Sequence, residues 1–416
     1  MRSIRTVLVA LTFTCIGHAA QSATFDLGFA NVSVGVVGYA DLRAVLPSDQ
    51  TRWIKGGLGK LRYGDVSQTP QLQLGEIFAE GHIQIGGGLL AVATARIEPK
   101  QKTFIDFTEA YLRYRPVSLS RWRWSIQGGA FFPPVSLENT DIGWASPWTI
   151  TPSAINTWVG EELRVIGGAA GVEWRGDSRA ITARGGLFGW NDPAGVLIAD
   201  RGWALHDRVT GLFDRLRLPD AWALGAGFPI PSYTPEFLEI DDRAGWYAGI
   251  IWEEFGIGRV ELLRYDNEAD PRAVRDDVVG WETDFWSVGA TAEFQDFVVI
   301  AQGMRGRTFF QPIPFFFSLT NFESAFLLLG RYVGNDWRIA GRAEIFSADE
   351  RRPGSSISLS EHGHAITAAV NWLPNDWLRL TGEVAHVVST RRQRILDDID
   401  PRQAETQAQL SAKIYF

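Results

Sequence analysis

The chain ends Q-A-Q-L-S-A-K-I-Y-F, residues 407–416, and the reading of this stretch decides the fold. In an extended chain Leu410, Ala412, Ile414 and Phe416 point one way. Gln409, Ser411, Lys413 and Tyr415 point the other. Alternation carried to an aromatic last residue describes a strand with one apolar face rather than a fraying tail. That face needs cover, from a protein core or from lipid.

The same period recurs upstream. In R-W-R-W-S-I-Q-G-G-A-F-F (121–132), Trp122, Trp124 and Ile126 oppose Arg121, Arg123 and Ser125. T-D-F-W-S-V-G-A-T-A-E-F (283–294) and D-W-R-I-A-G-R-A-E-I-F (336–346) behave alike. Globular strands average about five or six residues, whereas strands crossing a bilayer obliquely need about 9–11. The connections also sort by length. Short polar turns near 116–120, 175–178, 295–296, 334–336 and 374–376 alternate with long ones at 133–159, 191–244, 268–282, 310–321, 349–361 and 391–404. Trp122, Trp124, Trp174, Trp252, Phe294, Trp337, Trp372 and Phe416 gather beside the short turns. Tight turns on one side, long loops on the other and an aromatic belt are the pattern of a transmembrane up-and-down antiparallel β-barrel, an all-β fold. Sixteen crossings are counted, including 160–175, 297–309 and 322–333. A further hairpin inside 191–244 would make eighteen, and W-I-K-G-G-L-G-K-L-R-Y-G at 53–64 is placed in an external loop.

Composition narrows the class. Residues 1–22 read as a signal peptide, with Arg2 and Arg5 before the apolar run T-V-L-V-A-L-T-F-T-C-I-G and small residues after it. Cleavage after Ala19, Ala20 or Ser22 fits, and residues 23–416 form the barrel. The single cysteine, Cys15, lies in that run with Thr12 three residues before it, a poor setting for a lipid anchor, so the exported chain has no disulfide framework. Losing Arg2 and Arg5 makes the net charge of −8 two units more negative, which disfavours a nucleic-acid partner. The 17 Trp and 25 Phe suit a lipid-facing exterior and interfacial girdles.

Two resemblances follow. The ending is similar to the C-terminal signature of bacterial outer-membrane β-barrel proteins, with a terminal Phe and apolar residues at alternate positions. It implies a place in the Gram-negative outer membrane, contact with lipid and lipopolysaccharide, and recognition of the strand ending in Phe416 by the barrel assembly machinery. F-T-E-A-Y-L-R-Y-R-P at 107–116 and G-G-A-F-F-P-P-V-S-L-E-N at 128–139 resemble the phosphate-selective porin O and P family. That resemblance implies a sixteen-stranded general or anion-preferring diffusion channel for small hydrophilic solutes, with trimers common. Family members line the pore with lysine and arginine; this chain has five lysines, so a basic row here must be mostly arginine.

Alternation assigns Arg113, Arg115, Arg121, Arg123, Arg175, Arg184, Arg259, Arg331, Arg338, Arg342, Arg379 and Lys413 to the lumen. Glu109, Glu173, Glu261, Glu293, Glu323, Glu344 and Glu383 stand against them, an excess of five basic groups. Arginine rings favour anions. The pore-lining candidates are Arg113, Arg123, Arg184, Arg342, Arg338, Glu109 and Glu344; cross-strand pairing that braces the wall is the competing role. Loop 133–159, with Trp144, Trp148 and Trp158, and loop 191–244 are expected to fold inward. Their constriction candidates are Glu138, Asp141, Arg201, Arg208 and Arg215, and D-R-G-W-A-L-H-D-R-V-T-G-L-F-D-R-L-R-L-P at 200–219 is expected to form an amphipathic helix. No metal or cofactor is expected: His362 and His364 lack a third ligand, and no serine elbow or helical zinc motif occurs. The alternative to a porin is a barrel whose external loops bind a ligand or surface partner with little transport; an enzyme is not expected.

Overall fold

The computed structural model describes residues 25–26, 32–99, 101–220, 232–354 and 357–416, so the expected signal peptide lies outside the described residues. Sixteen strands form one antiparallel ring. In chain order they are β1 Val32–Leu46, β2 Gln71–Ile85, β3 Leu89–Ile97, β4 Asp106–Tyr114 and β5 Trp122–Phe131. Then come β6 Val165–Arg175, β7 Arg179–Gly189, β8 Gly245–Glu254, β9 Gly258–Asp266 and β10 Glu282–Phe294. The last six are β11 Phe297–Ile313, β12 Phe316–Val333, β13 Trp337–Arg351, β14 Glu361–Asn375, β15 Leu378–Arg391 and β16 Arg402–Tyr415. Each pairs with its neighbours in sequence, and β16 returns to β1 with Tyr39 opposite Tyr415 and Leu46 opposite Ala408. Gly38 and Phe416 exchange both backbone hydrogen bonds, at 2.9 and 3.0 Å. Nothing in hydrocarbon can satisfy an unpaired N–H, so only a closed ring survives there. No described helix is long and apolar enough to cross a membrane.

The alternation has the sense the sequence implies. Trp122, Trp252, Phe294, Trp337, Trp372 and Phe416 are exposed on the outer wall at the short-turn end, with Trp337 and Trp372 stacked 5.9 Å apart. Ser411, Lys413 and Tyr415 turn inward, where Ser411 Oγ donates to Asp41 at 2.6 Å and Tyr415 Oη accepts from Arg379 at 2.9 Å.

Four expectations are corrected. Residues 310–321 are not a long loop: β11 and β12 run on to Ile313 and Phe316, with Pro314 and Phe315 between them. The proline effect is local, because Pro312 falls at a register irregularity between Phe310 and Ile313 that absorbs its missing donor. The crossing expected at 160–175 begins at Val165; before it, Ala154–Glu162 is helix α1, capped by the Ser153 side chain accepting from Asn156 N. The helix expected over 200–219 is absent. A one-turn helix α2, Val196–Asp200, precedes it, and the chain then runs extended from Gly202, whose φ of 78° ends helical geometry. Arg331 and Glu323 lie on the outer face of β12 with Leu327 and Leu329, since Phe322, Phe326 and Leu328 hold its inner face. The described part of 190–244 holds only a two-residue pairing, Leu216–Arg217 with Tyr233–Thr234, and no spanning hairpin.

Gly38 offers a test of ring closure. A Cβ there would meet the Phe78 carbonyl oxygen and sit 2.6 Å from the Phe416 ring, whereas Gly341 has open space. Gly38→Val is expected to lower barrel stability by about 1–3 kcal/mol in urea unfolding and to shrink the heat-modifiable band on gels. Gly341→Ala should leave both unchanged.

Candidate functional site: the barrel lumen

A sixteen-stranded ring encloses more space than its own side chains fill. Three loops occupy it. Loop 132–164 reaches from the top of β5 to the short-turn mouth: Trp148 packs 5.0 Å from Tyr332, and the Pro147 carbonyl accepts from Arg379 at 2.8 Å. The described part of loop 190–244 lies at the long-loop mouth, and loop 47–70 tucks Trp53, Lys60 and Leu61 beneath it. These loops build an apolar core inside the barrel. Trp158 on α1 meets Trp203 of loop 190–244 at 6.1 Å and the wall residues Phe285 and Phe322 at 5.6 and 5.1 Å. Burying such rings is worth about 2–3 kcal/mol each, which explains why tryptophan-rich loops turn inward.

Arg342 anchors loop 132–164. Its guanidinium donates to Glu344 (2.9 Å), Glu138 (2.7 Å), Thr149 Oγ1 (3.3 Å), the carbonyls of Thr151 (2.7 Å) and Pro152 (3.0 Å), and Thr367 Oγ1 (3.2 Å). The carboxylates around it take the loop backbone: Glu344 accepts Ala154 N at 2.7 Å, Glu383 accepts Ile150 N at 2.5 Å, and Glu138 accepts Ser153 N at 2.9 Å. Arg342, Glu344 and Glu138 are therefore inward-facing but fully buried.

Loop 190–244 is strapped by charge. Arg201 makes a bidentate pair with Glu161 of α1, 2.7 Å on each arm, and His206 Nε2 lies 2.9 Å from the same carboxylate. Burial alone would raise Glu161, but Arg201 and His206 outweigh it and hold it at about 2. Burial pushes His206 below its ordinary value. Asp207 bridges Arg43 and Arg62, the latter at 2.7 Å, and Arg208 reaches Glu98 at 3.2 Å and Asp214 at 2.5 Å. Asp141 lies at the short-turn mouth, 3.0 Å from Arg379, beside a hollow of about 670 Å³ that Arg338 and Asp336 also line. Arg215 is outside, exposed, with its guanidinium 4.2 Å from the Tyr233 ring. At the root of this loop Asp192, Glu239 and Asp241 bring carboxylate oxygens within 4.8 Å of one another. Each accepts a backbone N–H, from Ile240, Trp190 and Asp270 respectively, so the trio braces the loop.

The remaining wall stays open to water. Along the short-turn ends of β4–β6, the inward Arg113, Arg115, Arg123 and Arg175 keep accessible guanidinium groups. Three of them share one acid: Glu173 lies 3.6 Å from Arg115, 3.6 Å from Arg123 and 3.9 Å from Arg175. Arg113 has no ion-pair partner among the described residues. Higher up, Arg184 donates to the Pro134 carbonyl (2.7 Å) and Glu261 (3.4 Å), and Glu109 accepts Phe132 N at 3.2 Å. Inward Asp41, Glu76, Glu80, Glu361 and Glu405 were absent from the sequence tally, as were inward Arg43, Arg96 and Arg391, so the acids it missed outnumber the arginines. What survives is local: paired charge above, unneutralised arginine below.

Comparison with known proteins agrees on the fold. The chain superposes on the outer-membrane channel DcaP of Acinetobacter baumannii with a TM-score of 0.55 at 10% identity, covering 96% of this chain and 100% of that one. In-vitro folded OmpT, an outer membrane protein of Vibrio cholerae, gives 0.55 at 11% identity, covering 95% and 100%. The anion-selective porin of Comamonas acidovorans gives 0.51 at 12%, covering 93% and 100%. No family model matches the sequence, and no curated protein matches it. The likeness is one of fold, a closed antiparallel β-barrel.

Sequence reasoning missed Glu161 and Asp207, because loop residues carry no periodicity to place them. Tryptophan content marked the loops as inward, but not their partners. Arg342→Met should leave Glu138 and Glu344 buried without their cation and cost about 3–5 kcal/mol. The urea midpoint should fall and loop 132–164 should become cleavable by protease; adding Glu138→Gln should recover part of the loss.

Proposed function

We propose that the chain is a passive diffusion channel for small hydrophilic solutes in the bacterial outer membrane, with a preference for anions. The observation that carries this reading is the group Arg113, Arg115, Arg123 and Arg175, open to the lumen around the single Glu173. Guanidinium groups facing a narrow aqueous space lower the barrier for negative solutes. The anion-selective porin and the DcaP channel, named as such among structures of the same fold, support the class and not the solute. The narrower likeness to the phosphate-selective porin O and P family rests on residues 107–116 and 128–139. Homotrimer assembly is proposed on the family resemblance, and a trimer form is known for the Vibrio OmpT. Recognition of the β16 strand by the assembly machinery is part of the same reading. No catalytic role is proposed: His82 faces inward, His206 is buried on Glu161, and His362, His364 and His386 face outward, so the histidines among the described residues do not converge.

A second reading is favoured by one observation. Described residues of loop 190–244, among them Trp203, Leu205 and Val209, are buried within the long-loop half of the lumen, as a barrel that binds with little flux would have it. Conductance in a planar bilayer under a KCl gradient separates the two. A steady conductance with a reversal potential on the chloride side is expected. Arg113→Glu with Arg123→Glu should move that potential toward potassium without changing heat modifiability. A folded barrel without conductance at any pH favours the binding reading.

A further inference from the structure

Where loop 132–164 reaches the short-turn mouth, it brings two arginines to one oxygen. Arg379 on β15 and Arg338 on β13 both donate to the Pro147 carbonyl, at 2.8 and 3.4 Å. Their surroundings differ. Arg379 is buried and engaged on every side, with Asp141 at 3.0 Å and the Tyr415 hydroxyl at 2.9 Å. Asp141 cancels its charge. Arg338 is half-buried and has no ion-pair partner among the described residues. The Tyr332 ring lies 5.6 Å from its guanidinium, and Trp148 of the loop packs 5.0 Å from that ring. Neutral groups therefore hold Arg338 in place and leave its charge unspent.

The hollow of about 670 Å³ beside Arg338 is also lined by residues of the turns 334–336 and 374–376. Each turn ends in an exposed aspartate, Asp336 and Asp376, and neither has an ion-pair partner among the described residues. The lining thus carries unspent charge of both signs, a guanidinium on the wall and two carboxylates at the turns. Its volume falls within the range of about 300–1,000 Å³ typical of small-molecule sites.

We propose that this hollow binds solutes carrying both a carboxylate and an ammonium group, amino acids or short peptides, with the carboxylate on Arg338 and the ammonium toward Asp336 and Asp376. The proposal deepens the channel reading by naming a solute class at a second place in the lumen. It rests on that reading for passage, not for binding. Charge decides the class. A simple anion gains Arg338 but meets two unpaired aspartates, and a simple cation meets two converging guanidinium groups. A bipolar solute satisfies both ends. Guanidinium suits the carboxylate end because its paired donors match two oxygens. The arginine group of β4–β6 differs, since three guanidinium groups there share the single Glu173.

Binding to the full-length barrel, refolded in detergent, tests this by saturation-transfer NMR with three probes: triglycine, N-acetylglycine and glycinamide. Triglycine is expected to bind about tenfold or more tightly than either probe with one charge. Arg338→Met should weaken triglycine by a similar factor and keep the heat-modifiable band. Asp336→Asn with Asp376→Asn should weaken triglycine yet tighten N-acetylglycine, opposite changes that misfolding does not produce. If triglycine and N-acetylglycine bind the unmodified protein alike, or Arg338→Met leaves triglycine binding unchanged, the proposal is overturned. In planar bilayers, triglycine on the short-turn side should reduce the KCl current of the unmodified protein and not that of Arg338→Met. Triglycine binding in a barrel that never conducts retains the site and overturns the channel reading. Conductance without triglycine binding overturns the site and leaves the channel reading intact.

Discussion

The structure depends on one demand of lipid: every backbone N–H and C=O in the hydrocarbon layer must find a partner within the protein. An open sheet cannot meet it, so the sixteenth strand has to return to the first. The exchange of backbone hydrogen bonds between Gly38 and Phe416 is the last stitch of that ring, and the small residue is what lets the terminal ring lie against the wall. Aromatic residues at the short-turn interface then hold the ring at its depth.

Closing sixteen strands creates an interior that the wall alone cannot fill. The protein fills much of it with its own loops. Their contacts resemble those of a soluble core, with Trp158 at the centre and Phe285 and Phe322 supplied by the wall. Charge goes in with the aromatics. A buried guanidinium costs several kcal/mol unless its donors are met, and Arg342 meets that condition with two carboxylates, two hydroxyls and two carbonyls. The upper lumen is thus a folded assembly, stiffened by ion pairs that link α1, the strap from Arg201 to Arg208 and the wall.

This division gives the lumen its electrical character. Inward acids offset many of the inward arginines of the strands, but not everywhere. Arg201, Arg208, Glu98 and Glu161 spend their charge on one another. Arg113, Arg115, Arg123 and Arg175 keep theirs in water. Solved barrels of the same fold share only 10–12% identity with this chain while covering nearly all of it. A ring in lipid constrains the alternation of apolar and polar residues far more than the residues themselves.

The fold was legible because its signal is periodic. A lipid-facing residue must be apolar at every second position, and this writes strand, face and girdle directly into Trp122–Ile126, Trp286–Phe294 and Leu410–Phe416. The inward direction of Arg113, Arg123, Arg184, Arg338 and Arg342 followed from the same parity. Parity failed where the strands outgrow the bilayer, as in β11 and β12 around Pro312, and where a charged residue sits on the outer face, as Glu323 and Arg331 do. Tertiary structure alone decided which inward charges meet water. Glu161 and Arg201 are 40 residues apart, and Glu138 and Arg342 are 204 apart. No local pattern encodes such pairings, because loops packed inside a closed wall are placed by the contacts they find there.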